Sequence, residues 1–160
     1  MIYIIVAMDE DQLIGQAASN NGMPWNYPED LDHFKNTTLN KTILMGSTTY
    51  KAIGRPLPNR KTIVVSCSCF EDSRVEVRNS FDEVIEEYKT SGEDLYICGG
   101  ASIYQQSLDK ADQLLISRIP GSHTGETYFP DFSGYGYILQ ETTPYKTFIL
   151  ERYSRVHTND

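Results

Sequence analysis

The sequence predicts an α/β chain, a mainly parallel sheet covered by helices and finished by an antiparallel pair. Three observations carry this reading. Short runs rich in β-branched residues recur along the chain, helical patterns lie between most of them, and the last two runs have no helix between them. A chain of 160 residues is the size of one domain, so residues 1–160 are read as a single unit.

The elements follow in order. Residues 1–8 form a nearly continuous apolar run, as expected of a strand buried on both faces. Residues 15–28 form a long loop that holds the only Trp, and long loops in compact domains are commonly binding loops. Pro28 to Leu39 opens with Pro and two acids, which suit a helix N-terminus, and Leu31, Phe34 and Thr38 repeat at helical spacing. Strands are expected over 42–45, 62–65, 95–98, 113–119 and 146–153, the last two pairing antiparallel at an edge. Ser80-Phe81-Asp82-Glu83 is a capping box leading into Val84, Ile85 and Tyr88. A short helix over Ala101 to Leu108 is entered through Gly99-Gly100.

Composition excludes several classes. There are 14 Lys and Arg against 22 Asp and Glu, a net charge of −8 with no basic stripe, which argues against a nucleic-acid partner. No run approaches the ~18 apolar residues of a membrane helix, and the start has no basic leader, so a cytoplasmic location is expected. The three cysteines are then reduced, and neither Cys67-Ser68-Cys69 nor the scattered histidines offer a metal-ligand set. Asn36-Thr37-Thr38 and Asn40-Lys41-Thr42 match the glycosylation pattern by chance. Phosphate-loop, zinc-protease and serine-hydrolase signatures are absent.

Four features could carry chemistry, and each has a plain structural alternative. Asp30 and Phe34 share a helix face, so a carboxyl sits beside an apolar stripe. It either complements the helix dipole or pairs with a donor-rich ring, burial then raising its pKa. Gly99-Gly100 either makes a tight turn or lets a backbone approach a phosphate, and Gly46-Ser47-Thr48-Thr49 and Ser66-Cys67-Ser68 repeat that logic at two other strand ends. Arg60, in a segment stiffened by Pro56 and Pro58 and crowded with Arg55 and Lys61, is either a surface residue or a two-pronged carboxylate binder. Tyr104 and Trp25 either fill the core or stack on a ring.

The order of the motifs decides among these. Val6-Ala7-Met8, Leu13-Ile14-Gly15, Met23-Pro24-Trp25-Asn26 and Pro28-x-Asp30-Leu31-x-x-Phe34-Lys35 resemble the dihydrofolate reductase family. So do Met45-Gly46-x-x-Thr49-Tyr50, Ile53-Gly54-Arg55-Pro56-Leu57-Pro58-Asn59-Arg60, Ile97-Cys98-Gly99-Gly100-Ala101-x-Ile103-Tyr104 and Gly125-Glu126-Thr127-x-Phe129-Pro130. The match runs in register from Met1 to about Asp131.

The resemblance implies a mixed, mainly parallel eight-stranded sheet with four flanking helices. It implies hydride transfer from NADPH to 7,8-dihydrofolate, giving tetrahydrofolate, by a monomer that antifolate inhibitors would also bind. Asp30 would hold the pterin ring NH and amino group and help water protonate the ring, with Trp25 holding an ordered water. Leu31, Phe34, Ile53 and Leu57 would wall the substrate, Arg60 would take its α-carboxylate, and the Ile5 and Cys98 backbone would meet its amino group. Ser117 would support Asp30, and Tyr104 would contact both substrate and cofactor. The cofactor would be lined by Ala7, Ile14, Gly15, Met23, Gly46, Ser47, Thr48, Thr49, Ser66, Cys67, Thr127 and the run from Gly99 to Ile103, including Ala101 and Ser102. Gly99-Gly100 would be cis.

Departures from the pattern also matter. The loop between Gly15 and Trp25 is a few residues longer than usual in bacterial forms, and Glu126 replaces a common Asp. Ser47 and Ser102 stand where Arg is frequent for the 2′-phosphate, so weaker discrimination of NADPH from NADH is expected. Two other readings share the fold: a reductase of another pteridine or of a riboflavin-pathway pyrimidine, and a non-catalytic folate or nucleotide carrier.

Overall fold

The structure, a computed structural model, describes residues 1–15, 28–66, 72–123, 125 and 127–155. Ten strands and four helices occur among them. In chain order these are β1 (Ile2–Met8), β2 (Leu13–Gly15), α1 (Pro28–Thr38), β3 (Thr42–Gly46), α2 (Ser47–Ile53), β4 (Lys61–Val65), β5 (Glu76–Arg78), α3 (Phe81–Ser91), β6 (Leu95–Ile97), α4 (Ala101–Ser107), β7 (Gln113–Arg118), β8 (Thr127–Tyr128), β9 (Tyr137–Pro144) and β10 (Ile149–Arg155). Eight strands make the main sheet, in the order β5-β4-β3-β6-β1-β7-β10-β9, and β2 pairs with β8 in a small second sheet. All main-sheet pairings are parallel except β7 with β10 and β10 with β9.

The side-chain alternation of the strands sorts the core into two layers. Ile2, Ile4, Val6 and Met8 of β1 point to one face, where Val84, Ile85 and Tyr88 of α3 and Ile103 of α4 cover them. Ile5 points to the other face with Ile43, Met45, Val64, Tyr96 and Leu115, against Tyr50 of α2 and Phe34 of α1. The apolar run of β1 is therefore buried on both sides, as its sequence predicts. Ser80 accepts a hydrogen bond from the Glu83 N–H at 3.3 Å and starts α3, whose acids Asp82, Glu83, Glu86 and Glu87 stay in solvent.

Topology places a crevice. Crossovers through α1 and α2 run toward the β5 edge, and those through α3 and α4 run toward the β9 edge. Right-handed crossovers in opposite directions put their helices on opposite faces. The change of direction falls between the neighbours β1 and β6, and such a switch point opens a crevice at the carboxyl ends of the strands.

Two expectations from the sequence are corrected, and a third gains its element. The strand expected over 146–153 begins only at Ile149, because residues 145–148 form a turn closed by the Tyr145 N–H on the Phe148 carbonyl at 2.8 Å. The true edge is β9, which is exposed along nearly its whole length and so carries no apolar alternation to read. Gly46-Ser47-Thr48-Thr49 is the entry to a helix, α2, that ends at Gly54 with φ +84°, a conformation open to glycine. Among the described residues no helix is long and apolar enough to cross a membrane.

Candidate active site

The crevice is built where β1 leaves β6. Their pairing ends at Ile4 and Ile97, whereas β1 stays paired with β7 as far as Met8 and Arg118. In the split, the Ile5 carbonyl accepts the Tyr104 hydroxyl at 2.9 Å. On the other side β6 turns toward β3: the Cys98 N–H donates to Leu44 at 2.8 Å, and the Gly46 N–H donates to Gly99 at 2.9 Å. The Gly99–Gly100 bond is cis.

Glycine relieves crowding at this meeting point. Gly99 has φ +108°, and a Cβ there would lie 3.1–3.2 Å from the Tyr104 ring and hydroxyl. A Cβ on Gly100 would lie 3.2 Å from Thr49 Oγ1, and one on Gly46 would lie 3.3 Å from Ile103 Cγ1. Bare backbone at three positions thus lets the starts of α2 and α4 converge beside the split.

Asp30 lies on the face of the sheet that α1 covers. It is 8% exposed, and Ser117 of β7, itself buried, is the group beside it. Burial pushes the Asp30 carboxyl up to about 6, and the Ser117 hydroxyl offsets only part of that. No charged side chain among the described residues contributes to the shift. Cys98 and Tyr104 are pushed up by burial as well, so the thiol is protonated and the phenol stays a donor. Around this carboxyl the apolar residues remain partly open: Leu31 is 39% exposed, and Phe34, Ile53 and Leu57 are half-buried. Apolar walls that leave surface to solvent beside an uncompensated acid describe a place for a flat ring with donors on its edge.

Arg60 is set at the far end of the same helix face. Its Nε donates to Thr38 Oγ1 at 2.8 Å, and its two Nη groups donate to the carbonyls of Pro58 and Lys35. A guanidinium has five N–H groups, so one on each Nη is left for a carboxylate. Thr38 is itself fixed by donating to the Phe34 carbonyl at 2.8 Å. Asp30, Phe34 and Thr38 are spaced four apart and form one stripe.

Two further expectations change. The positive cluster is not one site, because Lys61 pairs with Glu76 at 3.6 Å and lies against Tyr88 under the opposite layer, while Arg60 faces α1. The Tyr104 ring is 5% exposed, packed 5.1 Å from Phe129 and against Gly99, so it is core and not a free stacking surface. Ser47, Thr49, Ala101, Ala7 and Thr127 are half-buried, Thr48 and Ser102 are exposed, and Ile14, Ser66 and Ile103 are buried. Gly15 ends β2. Met23, Trp25, Cys67, Glu126 and most of the long loop over 15–28 lie outside the described residues.

The sequence reading missed two polar supports. Thr38 appears in it only as a helical repeat and a glycosylation match, although its place eight residues after Asp30 puts it on the same stripe. Asp9 is fully buried and accepts the N–H groups of Asp11, Leu13 and His123 at 2.8, 3.0 and 2.8 Å. Burial pushes its carboxyl up, yet these bonds outweigh burial and hold it below the usual carboxylate range. It ties the β1–β2 corner to the chain leading into β8. An Asp bonding the backbone two residues on is the signal that could have found it.

The family model described as dihydrofolate reductase matches residues 1–154. A protein named dihydrofolate reductase type 3 from Salmonella typhimurium is 38% identical over 138 residues, covering 86% of this chain and 83% of that protein. The dihydrofolate reductase of Bacillus subtilis is 38% identical over 135 residues, covering 82% and 77%. Among solved structures, a dihydrofolate reductase from Enterococcus faecalis complexed with NADP(H) and RAB-propyl aligns with a TM-score of 0.89 at 29% identity, covering 100% of this chain and 97% of that one.

Proposed function

The chain belongs to the dihydrofolate reductase family, and from that premise we propose that it reduces 7,8-dihydrofolate to 5,6,7,8-tetrahydrofolate with NADPH, using Asp30 to hold and help protonate the pterin. The observation that supports this role is the burial of Asp30 with no charged partner among the described residues, on a face that ends in Arg60. A donor pair from a pterin ring NH and 2-amino group supplies the missing partner. Those donors favour the carboxylate form and fix the ring in one orientation. The proton delivered to the ring comes from water, which the oriented and polarised ring accepts more readily. Leu31, Phe34, Ile53 and Leu57 wall the rings, and the two N–H groups left on Arg60 take the α-carboxylate of the tail. The Ile5 carbonyl keeps a second lone pair beside its bond to Tyr104, and with the Cys98 backbone it meets the amino group.

NADPH, when bound, supplies the hydride. The residues present fit such a group, because a Cβ on Gly46, Gly99 or Gly100 would crowd the split where the starts of α2 and α4 meet. Ala7, Ile14, Gly15, Ser47, Thr48, Thr49, Ser66, Ala101, Ser102, Ile103 and Thr127 complete the lining in this reading. The hydroxyls of Ser47 and Ser102 are neutral donors toward a phosphate. The enzyme works in this reading as a cytoplasmic, single-domain monomer.

Loss of reduced-nicotinamide absorbance with dihydrofolate tests the proposal. Turnover by the wild type that collapses in Asp30→Asn supports it. Tight folate binding without turnover by the wild type would instead indicate a carrier, and turnover only with another pteridine would change the substrate.

A further inference from the structure

We propose that Glu29 and His33 are positioning residues, which set Asp30 in place by clamping α1 to the turn between β9 and β10. The inference rests on the reading of Asp30 as the pterin partner. Side chains four apart share a helix face, so Glu29, His33 and Thr37 form a second stripe beside the one that begins with Asp30. This stripe meets the turn over residues 145–148. Glu29 Oε1 accepts both the N–H and the hydroxyl of Thr147, each at 2.9 Å. The His33 ring lies 5.9 Å from both the Tyr145 and the Phe148 rings, which stack on each other at 4.6 Å. Thr37 Oγ1 lies 3.4 Å from His33 Nδ1 and fixes the ring from the other side.

The turn is anchored where Asp30 needs a floor. Phe148 is 2% exposed and packs on Ile119, with Ala7 and Leu150 against them. Leu150 is the strand partner of Ser117, the residue beside the Asp30 carboxyl. The clamp therefore presses the first turn of α1 onto the part of the sheet that keeps water from Asp30. His33 Nε2 is buried without a hydrogen-bond partner among the described residues, and burial alone lowers the pKa of the ring. The ring is thus neutral and acts by packing. Glu29 is held below the usual carboxylate range by the Thr147 N–H and hydroxyl and by the Lys146 N–H, so it stays an acceptor at neutral pH.

The groups that face Asp30 are the Ser117 hydroxyl from β7 and, farther off, the Tyr104 phenol from α4. Glu29 and His33 flank it on its own helix, and Lys146 and Tyr145 come from the turn. None of the charged groups among them enters the shift of Asp30, so loosening the clamp acts on that carboxyl through water access. Its pKa should then fall toward the ordinary value.

The test compares the wild type with Glu29→Ala, Glu29→Gln, His33→Ala and His33→Phe in the pH profile of kcat/KM for dihydrofolate, alongside KM for NADPH. Glu29→Ala and His33→Ala should move the profile down by roughly half a pH unit or more. They should raise KM for dihydrofolate roughly threefold to tenfold, the scale of weakening one hydrogen bond at Asp30. Glu29→Gln keeps the acceptor and His33→Phe keeps the ring, so both should restore the profile, with KM for NADPH unchanged throughout. A wild-type profile in Glu29→Ala overturns the inference. So does an equal loss in all four variants that extends to NADPH, because the clamp would then serve only the fold. Asp30→Asn in the same series separates the two readings. If it retains turnover, the role of Asp30 itself is wrong, whatever Glu29 does.

Discussion

Replacing Asp30 by Asn should stabilise the ligand-free protein while it destroys turnover. Burial raises the Asp30 carboxyl from 3.8 to about 6, so the folded state prefers the protonated form. At 1.36 kcal/mol per pH unit, keeping that carboxyl ionised in the folded chain costs about 3 kcal/mol. The sign follows from linkage. Between the unfolded and folded pKa values the folded state binds more protons, so stability falls as pH rises across that window. The cost is nearly absent below about pH 3 and complete above about pH 7. Asn has no such term. Urea unfolding of both proteins without ligand should show a gap, mutant minus wild type, that widens by up to about 3 kcal/mol between about pH 3 and pH 8. In a chain of this size that is roughly 6–12 °C in Tm. Saturating folate should narrow the gap, because its donors stabilise the ionised wild-type carboxyl. A gap that is constant across the pH range, or that narrows as pH rises, would refute the claim that burial without a charged partner sets this carboxyl.

Other substitutions probe the rest of the crevice. Arg60→Leu removes a two-pronged charged contact worth about 1.5–3 kcal/mol, so KM for dihydrofolate should rise roughly tenfold to a hundredfold. KM for a pterin without the glutamate tail should not change, and equal losses for both substrates would show that Arg60 acts through the fold. Gly99→Ala forces φ +108° on a residue with a Cβ facing the Tyr104 ring at 3.1 Å. It should lower unfolding free energy by about 1–3 kcal/mol in a urea titration, and wild-type stability would contradict the contact. Ser47→Arg places a charge at the first residue of α2 and should raise the ratio of NADPH to NADH kcat/KM roughly tenfold or more. An unchanged ratio would mean that the 2′-phosphate lies elsewhere.

The parts of the fold that the sequence made legible are those where burial leaves a pattern. β1 reads as a strand buried on both faces because both faces are in fact covered. α3 reads from its capping box and its apolar stripe, with Phe81, Val84, Ile85 and Tyr88 all buried. The illegible parts have weak or misleading local signals. α2 holds Thr48, Thr49 and Ile53, β-branched residues that favour strands, and it is held as a helix by Tyr50 packing under the sheet. β9 is exposed on both sides and owes its existence to pairing with β10, a contact that composition does not announce. Residues 146–148 look like the start of a strand, but Phe148 is an anchor pushed between Ile119 and α1, not a ladder residue.

The candidate site divides in the same way. Its motif residues could be picked out because chemistry restricts them: Asp30, Arg60 and the glycines have few substitutes at their positions. Orientation could not be read. Arg60 and Lys61 are adjacent in sequence, yet Arg60 turns to Thr38 of α1 and Lys61 to Glu76 and Tyr88. Tyr104 looks available as an aromatic beside two glycines, and only the fold shows that its hydroxyl is spent on Ile5 and its ring on Gly99.

One consequence of α1 joins the two ends of the proposed substrate site. Asp30 and Thr38 are eight residues apart, about 12 Å along the helix axis. Thr38 fixes Arg60 directly, so the carboxyl proposed to receive the pterin and the guanidinium proposed to receive the tail are referenced to one rigid rod. Phe34, halfway along, both packs on the sheet and offers its carbonyl to Thr38. A shift of α1 as a body would carry both anchors together and keep their separation, whereas a break within the helix would change it. The turn over 145–148 grips only the N-terminal half of the rod, at Glu29 and His33. Loosening it should therefore tilt the Asp30 end more than the Thr38 end. The pterin contact should weaken before the tail contact does, which is why the proposed clamp is read best through the pH profile of Asp30.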